Sequence, residues 1–94
     1  MEQLETFPKN EDAVLDWKFD WVNWLDVGET INTHLVTVTS GITMASSSIT
    51  DNNTSITLWL SGGNLGITYQ VDCEITTTAG RTDKRSILIR ITDR

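Results

Sequence analysis

The clearest pattern in this chain is an alternation of apolar and polar residues over positions 66–78. Tyr69, Val71, Cys73 and Ile75 fall on one side of an extended chain, and threonine, glutamine and acidic residues fall on the other. This period of two is typical of a β-strand with one face in a core and the other in water. The segment is therefore predicted to be a central strand of a sheet.

A second alternation covers residues 14–22 and is rich in aromatic side chains. The apolar members that share one face are Leu15, Trp17, Phe19 and Trp21. A helical spacing also fits part of this run, but strict alternation with aromatic enrichment favours a strand. We expect Trp17 and Phe19 in the core, and Trp21 or Trp24 partly exposed.

Four further segments complete the strand pattern, at residues 29–39, 42–49, 54–60 and 85–92. The second of the six predicted strands has mixed parity, which a bulge near His34 would reconcile. Glycine-bearing turns separate the segments, and Tyr69 follows one of them near the start of a central strand, as in Ig-like domains. The pattern predicts an all-β fold, a single Ig-like antiparallel β-sandwich of about six to seven strands. A small β-barrel is the second choice.

The N-terminal segment behaves differently from the rest. Residues 1–12 lack periodicity and contain Phe7-Pro8, a pair that disfavours helix. We predict an extended N-terminal arm over 1–12, followed by the sandwich domain over 13–94. Because Leu4 and Phe7 are apolar, the arm is expected to dock either on the domain's own sheet or on a neighbouring subunit.

Composition narrows the functional classes. The 94 residues suffice for one domain, and thirteen acidic against seven basic residues give a net charge of −6, which disfavours nucleic-acid binding. No apolar run is long enough to span a membrane, and the acidic first residues lack the apolar segment of a secretory signal. A single cysteine excludes an internal disulfide, so we expect folding in the cytosol by packing alone.

The charges are unevenly placed, with an acidic start, a nearly uncharged middle and a basic end. If the first and last strands are neighbours, Lys18 and Asp20 face Arg85 or Arg90 across a ladder. The alternative is that opposite ends attract between subunits in a head-to-tail assembly.

No catalytic or metal-binding constellation stands out. Cys73 alternates with core residues and is expected to be an inert buried thiol. His34 is the only histidine, and it lacks the convergent partners that a metal site needs. A weak calcium site from Asp16, Asp20, Asp26 and Glu29 is less favoured than a solvated face for these acids. We therefore predict no enzymatic activity, no cofactor and no metal.

Tryptophan content raises one competing function. Four tryptophans in so short a chain are typical of carbohydrate-binding sandwiches, which display them on a sheet face or rim. Trp59 points away from the aliphatic face of its strand, and Trp24 lies in a corner. These two residues are the candidates for such a surface.

Several stretches, taken in order, resemble a known family. They are Phe7-Pro8-Lys9, the segment from Glu11 to Trp21, the segment from Trp24 to Ile31, Thr57 to Gly63 with Gly66 to Tyr69, and Thr77 to Ser86. The chain is similar over nearly its whole length to the fibre–tail adaptor proteins of tailed bacteriophages. It departs from them in having Trp17 where the family often has tyrosine, and in a longer polar stretch at 45–55.

The resemblance implies a non-enzymatic virion structural protein that joins tail, neck or fibre components, with several copies in each particle. It implies a location in the virion tail or neck region after synthesis in the bacterial host cytoplasm. Protein partners in the virion follow, with no nucleic acid and no membrane. The residues that we predict for assembly contacts are Leu4, Phe7, Pro8, Trp24, Trp59, Arg81 and Asp83. The alternative is a carbohydrate-binding Ig-like module on a host-recognition fibre.

Overall fold

A computed structural model describes residues 5–93, which form seven β-strands and no helix. The strands are β1 (Thr6–Asn10), β2 (Leu15–Asp20), β3 (Ile31–Val38), β4 (Ile42–Thr50), β5 (Ser55–Gly62), β6 (Thr68–Thr77) and β7 (Thr82–Thr92). All six predicted strands are present, with boundaries that differ by a few residues at most. The seventh, β1, lies within the segment predicted as an arm.

The strands form two sheets that pack face to face. The four-stranded sheet has the order β1-β7-β6-β3, and the three-stranded sheet has the order β2-β5-β4. Strands two, five and four thus share one sheet, and strands three, six and seven share the other. This is the division of strands B, E, D and C, F, G in Ig-like domains. The prediction of an all-β sandwich is confirmed.

The core lies between the sheets and contains the inward residues of the predicted alternations. The largest contributions come from β5 (Ile56, Leu58 and Leu60), β6 (Tyr69, Val71, Cys73 and Ile75), β7 (Ile89 and Ile91) and the aromatics Phe19 and Trp21. Tyr69 is buried, and its hydroxyl accepts a hydrogen bond of 2.9 Å from the backbone N–H of Asn64, five residues upstream. This is the bond that the glycine–tyrosine pattern predicts.

Strand β1 resolves how the first residues dock. Thr6–Asn10 pairs in parallel with Leu88–Thr92 of β7, so this segment adds to the domain's own sheet. Phe7 packs against the core, and Lys9 is 1% exposed. The parallel pair is a correction to the purely antiparallel prediction, because the first strand runs alongside the last instead of returning from it. Leu4 lies outside the described residues.

The predicted pairing of β2 with the basic last strand is wrong. β2 lies in the opposite sheet and pairs with β5, so Lys18 and Asp20 cannot face β7 across a ladder. Lys18 forms its ion pair with Asp51 at 3.0 Å. Arg85 donates to the backbone carbonyl of Asp20 and not to its carboxylate. The charges still pair within the chain, through loops and across the sandwich.

One local prediction is confirmed and another needs a correction. The bulge expected near His34 is present and lies between Ile31 and Thr33. The Nε2 atom of His34 lies 2.9 Å from the Ser47 hydroxyl on β4. Trp17, which was expected in the core, is half-buried. Of the other two tryptophans, Trp24 is the partly exposed one and Trp21 is fully buried. Trp21 is buried because it follows the last residue of β2 and closes one end of the sandwich over Phe19, at a ring-centroid distance of 6.0 Å.

Candidate interaction surfaces

The predicted contact residues fall into three separate places. Trp24, Arg81 and Asp83 lie together at the end of the sandwich where β2 leads into β3 and β6 turns into β7. Trp59 stands on the outer face of the three-stranded sheet. Phe7 and Pro8 lie on β1 at one edge of the four-stranded sheet. The structure therefore does not bring all of them into one site.

The end of the sandwich is organised by a buried carboxylate, Glu29, whose side chain is 3% exposed. Both of its oxygens accept hydrogen bonds from the Arg81 guanidinium, and one also accepts from the Thr77 hydroxyl. The backbone N–H of Asp26 donates to the other oxygen at 3.0 Å. A buried carboxylate is tolerated only when it is paired and hydrogen-bonded in this way.

Arg81 links this carboxylate to the tryptophan corner. Its guanidinium carbon lies 4.0 Å from the centre of the Trp24 ring, and Nη2 donates to the Trp24 backbone carbonyl at 3.2 Å. A guanidinium over an aromatic face is an attractive arrangement. Trp24 and Arg81 therefore hold the β2–β3 connection against the β6–β7 turn, while part of each remains accessible. Their role in assembly contacts stays a prediction.

Asp83 also has an internal partner. Its carboxylate accepts a hydrogen bond of 2.8 Å from the indole N–H of buried Trp21. Arg85 lies 3.7 Å from the same carboxylate, and its guanidinium carbon is 4.7 Å from the centre of the Trp21 ring. A buried indole N–H requires an acceptor, and Asp83 supplies it from the opposite sheet.

The Glu29 network has a clear pH signature. The hydrogen bonds from Arg81, followed by those from Thr77 and the Asp26 backbone, lower the pKa of Glu29 from 4.5 to about 2. Because the folded-state pKa lies below the unfolded value, the stability that Glu29 contributes is present above about pH 4.5. It is lost progressively as the pH falls from 4.5 towards 2.

We expect Glu29→Gln to lower the thermal midpoint at pH 7 by several degrees, because Arg81 and Thr77 lose a charged acceptor. The gap between variant and wild type should narrow as the pH falls through 4.5. Thermal unfolding followed by circular dichroism from neutral pH down to about pH 2 measures both effects. Glu74→Gln, at an exposed position of β6, is the matched control. A difference in thermal midpoint between Glu29→Gln and wild type that stays constant from neutral pH to about pH 2 would contradict the lowered pKa of Glu29.

Trp59 lies in a different environment from the candidate residues at the end of the sandwich and at the β1 edge. It lies on β5, the central strand of the three-stranded sheet, and its side chain points outward with 42% exposure. The residues directly opposite it are Asp16 on β2 and Ser46 on β4. Thr57 and Ser48, also opposite each other, lie on the same outer face. The result is one large aromatic ring on an otherwise polar sheet face.

Two buried charged residues, Lys9 and Glu29, are not predicted by the sequence pattern. Lys9 is enclosed beside the end of β5, where its ammonium donates to the backbone carbonyls of Asn10 and Gly62 at 2.9 and 2.8 Å. Burial lowers the pKa of this amine, and the nearby Asp12 partly offsets the effect. Glu29 was grouped with the solvated acids. The signal for its burial is its position after the Asp26–Gly28 turn, two residues before the buried Ile31.

The residues that could support catalysis or metal binding are not arranged for either. Cys73 is fully buried, and desolvation raises the pKa of its thiol to about 12. Among residues 5–93, no three histidine, cysteine or acidic side chains come together as a metal set. The same residues include no helix that could cross a membrane.

Comparison with known protein families gives a match over most of the chain. Residues 9–90 match the model of a protein family described as Podophage GP4 fiber-tail adaptor protein gp77. The match begins at Lys9 in β1 and ends at Arg90 in β7, so it spans both sheets. A search of curated protein sequences gives no match.

Proposed function

This chain belongs to the podophage fibre–tail adaptor family, and from that premise we propose that it is a non-enzymatic structural protein that links tail or neck components to fibre components of the virion. The linkage is made by protein–protein contacts, with several copies in each particle. The observation that carries the proposal is the family match over both sheets of the sandwich. The protein is made in the host cytoplasm and incorporated into the tail region.

The structure supports this role through the accessible residues of a rigid sandwich. Trp59 presents an aromatic ring on a flat sheet face, and tryptophan is enriched among the residues that dominate protein interfaces. Phe7 and Pro8 lie at the β1 edge, and the accessible parts of Trp24 and Arg81 lie at one end of the sandwich. Contacts at a face, an edge and an end would let one small domain join several neighbours.

The proposed partners are other virion proteins, namely tail, neck or fibre subunits and further copies of this chain. The net charge of −6 disfavours contact with the phosphate backbone of the genome. No membrane contact is proposed. Together with Phe7, Pro8, Trp24, Trp59 and Arg81, the residues Leu4 and Asp83 are proposed to contact these virion proteins.

Complementation of a phage that lacks this gene tests the proposal. Particles made without the protein should lack attached fibres by electron microscopy and should lose infectivity, and wild-type protein supplied in trans should restore both. Trp59→Ala should fold normally and reduce fibre attachment. Val27→Ala, at a fully exposed loop position, is the control variant. Normal fibre attachment without the protein would overturn the adaptor role.

A carbohydrate-binding module on a host-recognition fibre is the second candidate. One observation favours it, because the Trp59 ring is exposed among hydroxyl and carboxylate side chains, as on sugar-stacking platforms. Titration of host polysaccharide against tryptophan fluorescence distinguishes the two functions. A saturable change that Trp59→Ala abolishes would favour sugar binding, and no change would favour the adaptor.

A further inference from the structure

Strand β3 is an open edge of the four-stranded sheet that lacks the usual protection against pairing. Its sequence, Ile31–Val38, contains no charged residue and no proline. Among the described residues it pairs with a strand on one side only, β6. Edge strands are normally shielded by charges, prolines, bulges or short length, because their free backbone groups can pair with another chain.

The other three edges carry such protection. β1 is five residues long and contains Pro8, and β2 alternates its apolar residues with Asp16, Lys18 and Asp20. β4 is uncharged, but a bulge between Met44 and Ser46 interrupts it. β3 has its bulge at the start, which leaves an unbroken register over residues 33–38. Of these four edges, only that of β3 is thus left without protection, over residues 33–38.

Strand β3 is also apolar on both faces of its sheet. Leu35 points outward and is 61% exposed, while Val36 and Val38 point inward and are only half-buried. A monomer gains nothing from an exposed leucine at this position. A strand added at this edge would cover Leu35 on one face and the two valines on the other.

The backbone geometry shows which groups are free. Thr39 donates its N–H to the Gln70 carbonyl, so positions 39 and 70 form a hydrogen-bonded pair. In an antiparallel ladder, bonded and non-bonded pairs alternate. Thr37 and Leu35 therefore also bond to β6, and the N–H and C=O groups of His34, Val36 and Val38 point away from β6 to the open edge.

We propose that β3 is a self-association surface, on which the β3 strand of a second copy pairs antiparallel about a two-fold axis at Val36. In this register His34 lies opposite Val38 of the second copy, and Leu35 lies opposite its Thr37. All three residues with free backbone groups then form bonded pairs, and the two sheets join into one of eight strands. A pairing centred on His34 would bring the bulged start of β3 into the ladder, and a pairing centred on Val38 would extend it into the turn that follows β3.

A second copy is favoured over another partner by the charge pattern. Two-fold pairing about Val36 places residues 35, 36 and 37 directly or diagonally beside their own equivalents on the second copy, so a charge at the centre of the strand would lie close to a like charge. β3 has none, whereas the chain as a whole carries −6 and two copies repel each other elsewhere. The nearest charges, Asp72, Glu74 and Lys84, lie on β6 and β7, one or two strands away from the edge.

This inference deepens the proposed adaptor function and rests on it for the presence of several copies in one particle. Its physical test needs only the purified protein. The dimer should tighten as sodium chloride is raised from about 0.1 to about 1 M, because the Debye length shortens from about 10 to about 3 Å and screens the repulsion. Sedimentation equilibrium measures the dissociation constant. A monomer at every concentration, or an assembly that dissociates with salt, would overturn the proposal.

A paired substitution tests the surface itself. Leu35→Lys with Thr37→Lys places lysines directly opposite one another in the proposed register and should raise the dissociation constant about 100-fold, as expected for opposed like charges at an interface. Val14→Lys with Val27→Lys makes the same charge change at two exposed positions away from β3 and should leave the dimer intact. Equal effects of the two variants would exclude β3. Normal circular dichroism of each variant excludes misfolding.

Cysteine cross-linking tests the register. The native thiol, Cys73, is buried, so an introduced cysteine is the reactive one. Leu35→Cys mixed with Thr37→Cys should form a disulfide under mild oxidation, because residues opposite each other in a ladder have Cβ atoms about 4.5–5.5 Å apart. The mixture of Val14→Cys with Thr37→Cys is the control. Equal cross-linking in both mixtures would overturn the proposed register between the two β3 strands. If the dimer is confirmed but particles made without the protein attach fibres normally, the adaptor function is wrong and the interface stands.

Discussion

Trp21→Ala is expected to lower the free energy of unfolding by about 3–5 kcal/mol, as large-to-small changes of buried aromatics do. Trp21 is 0% exposed and lies beside Phe19 and beneath the Arg85 guanidinium. Its removal leaves a cavity at the end of the sandwich and takes the indole donor from Asp83. Because small domains have about 5–15 kcal/mol of stability in total, this loss removes a large fraction of it.

The matched control is Trp59→Ala, which removes the same side chain from an outward position on β5. Surface substitutions of this kind usually stay within about 0.5 kcal/mol. Urea unfolding at 25 °C followed by circular dichroism compares the two variants on one scale. Equal losses from both variants would show that Trp21 is not the core residue described above. The comparison also shows whether Trp59 can be changed without disturbing the fold, which the complementation experiment requires.

Gly63→Ala is expected to cost about 3 kcal/mol, from two sources that act together. The φ angle of Gly63 is +96°, a conformation that residues with a Cβ adopt only under strain. A Cβ at this position would also lie 2.6 Å from Cδ1 and 2.7 Å from Cγ1 of Ile91, and 3.3 Å from Cε2 of Tyr69. Ile91 is buried, so it has little space into which to move.

Gly66→Ala separates the two sources. Gly66 has a φ of +84°, but a Cβ there would meet no atom within 4 Å. Only the backbone cost remains, about 1–2 kcal/mol. Chemical denaturation of both variants and wild type gives the difference between them. If Gly66→Ala lowers the free energy of unfolding as much as Gly63→Ala does, the contact between the added Cβ at Gly63 and Ile91 on β7 does not contribute to the cost.

The alternation of apolar residues was enough to predict six strands, because a sheet with one buried face imposes a period of two on its sequence. The Tyr69 hydroxyl bond followed from the same stretch. β1 could not be predicted this way. It is short, its pairing with β7 joins residues far apart in sequence, and its inward position 9 holds a lysine, which no apolar pattern includes.

Which charged side chains pair with each other could not be predicted from the sequence either. The acidic start and the basic end indicated that charges pair, but only the sheet assignment shows that Lys18 meets Asp51 and that Arg81 meets Glu29. The candidate contact residues illustrate the same limit. The sequence predicts turns and corners at Trp24, Arg81 and Asp83, and the structure gives each of these side chains an internal partner. Exposure and internal bonding depend on the tertiary fold, which local pattern does not encode.

The parallel pairing of β1 with β7 has a mechanical consequence for a protein placed in a linkage. Traction applied backward along the start of β1 and forward along the end of β7 would slide the two strands past each other. In that shear geometry the hydrogen bonds from Thr6 to Asn10 carry the load together, whereas an antiparallel terminal hairpin would open one bond at a time. A domain joined in this way resists tension along the direction of these two strands, which suits the linking role proposed above.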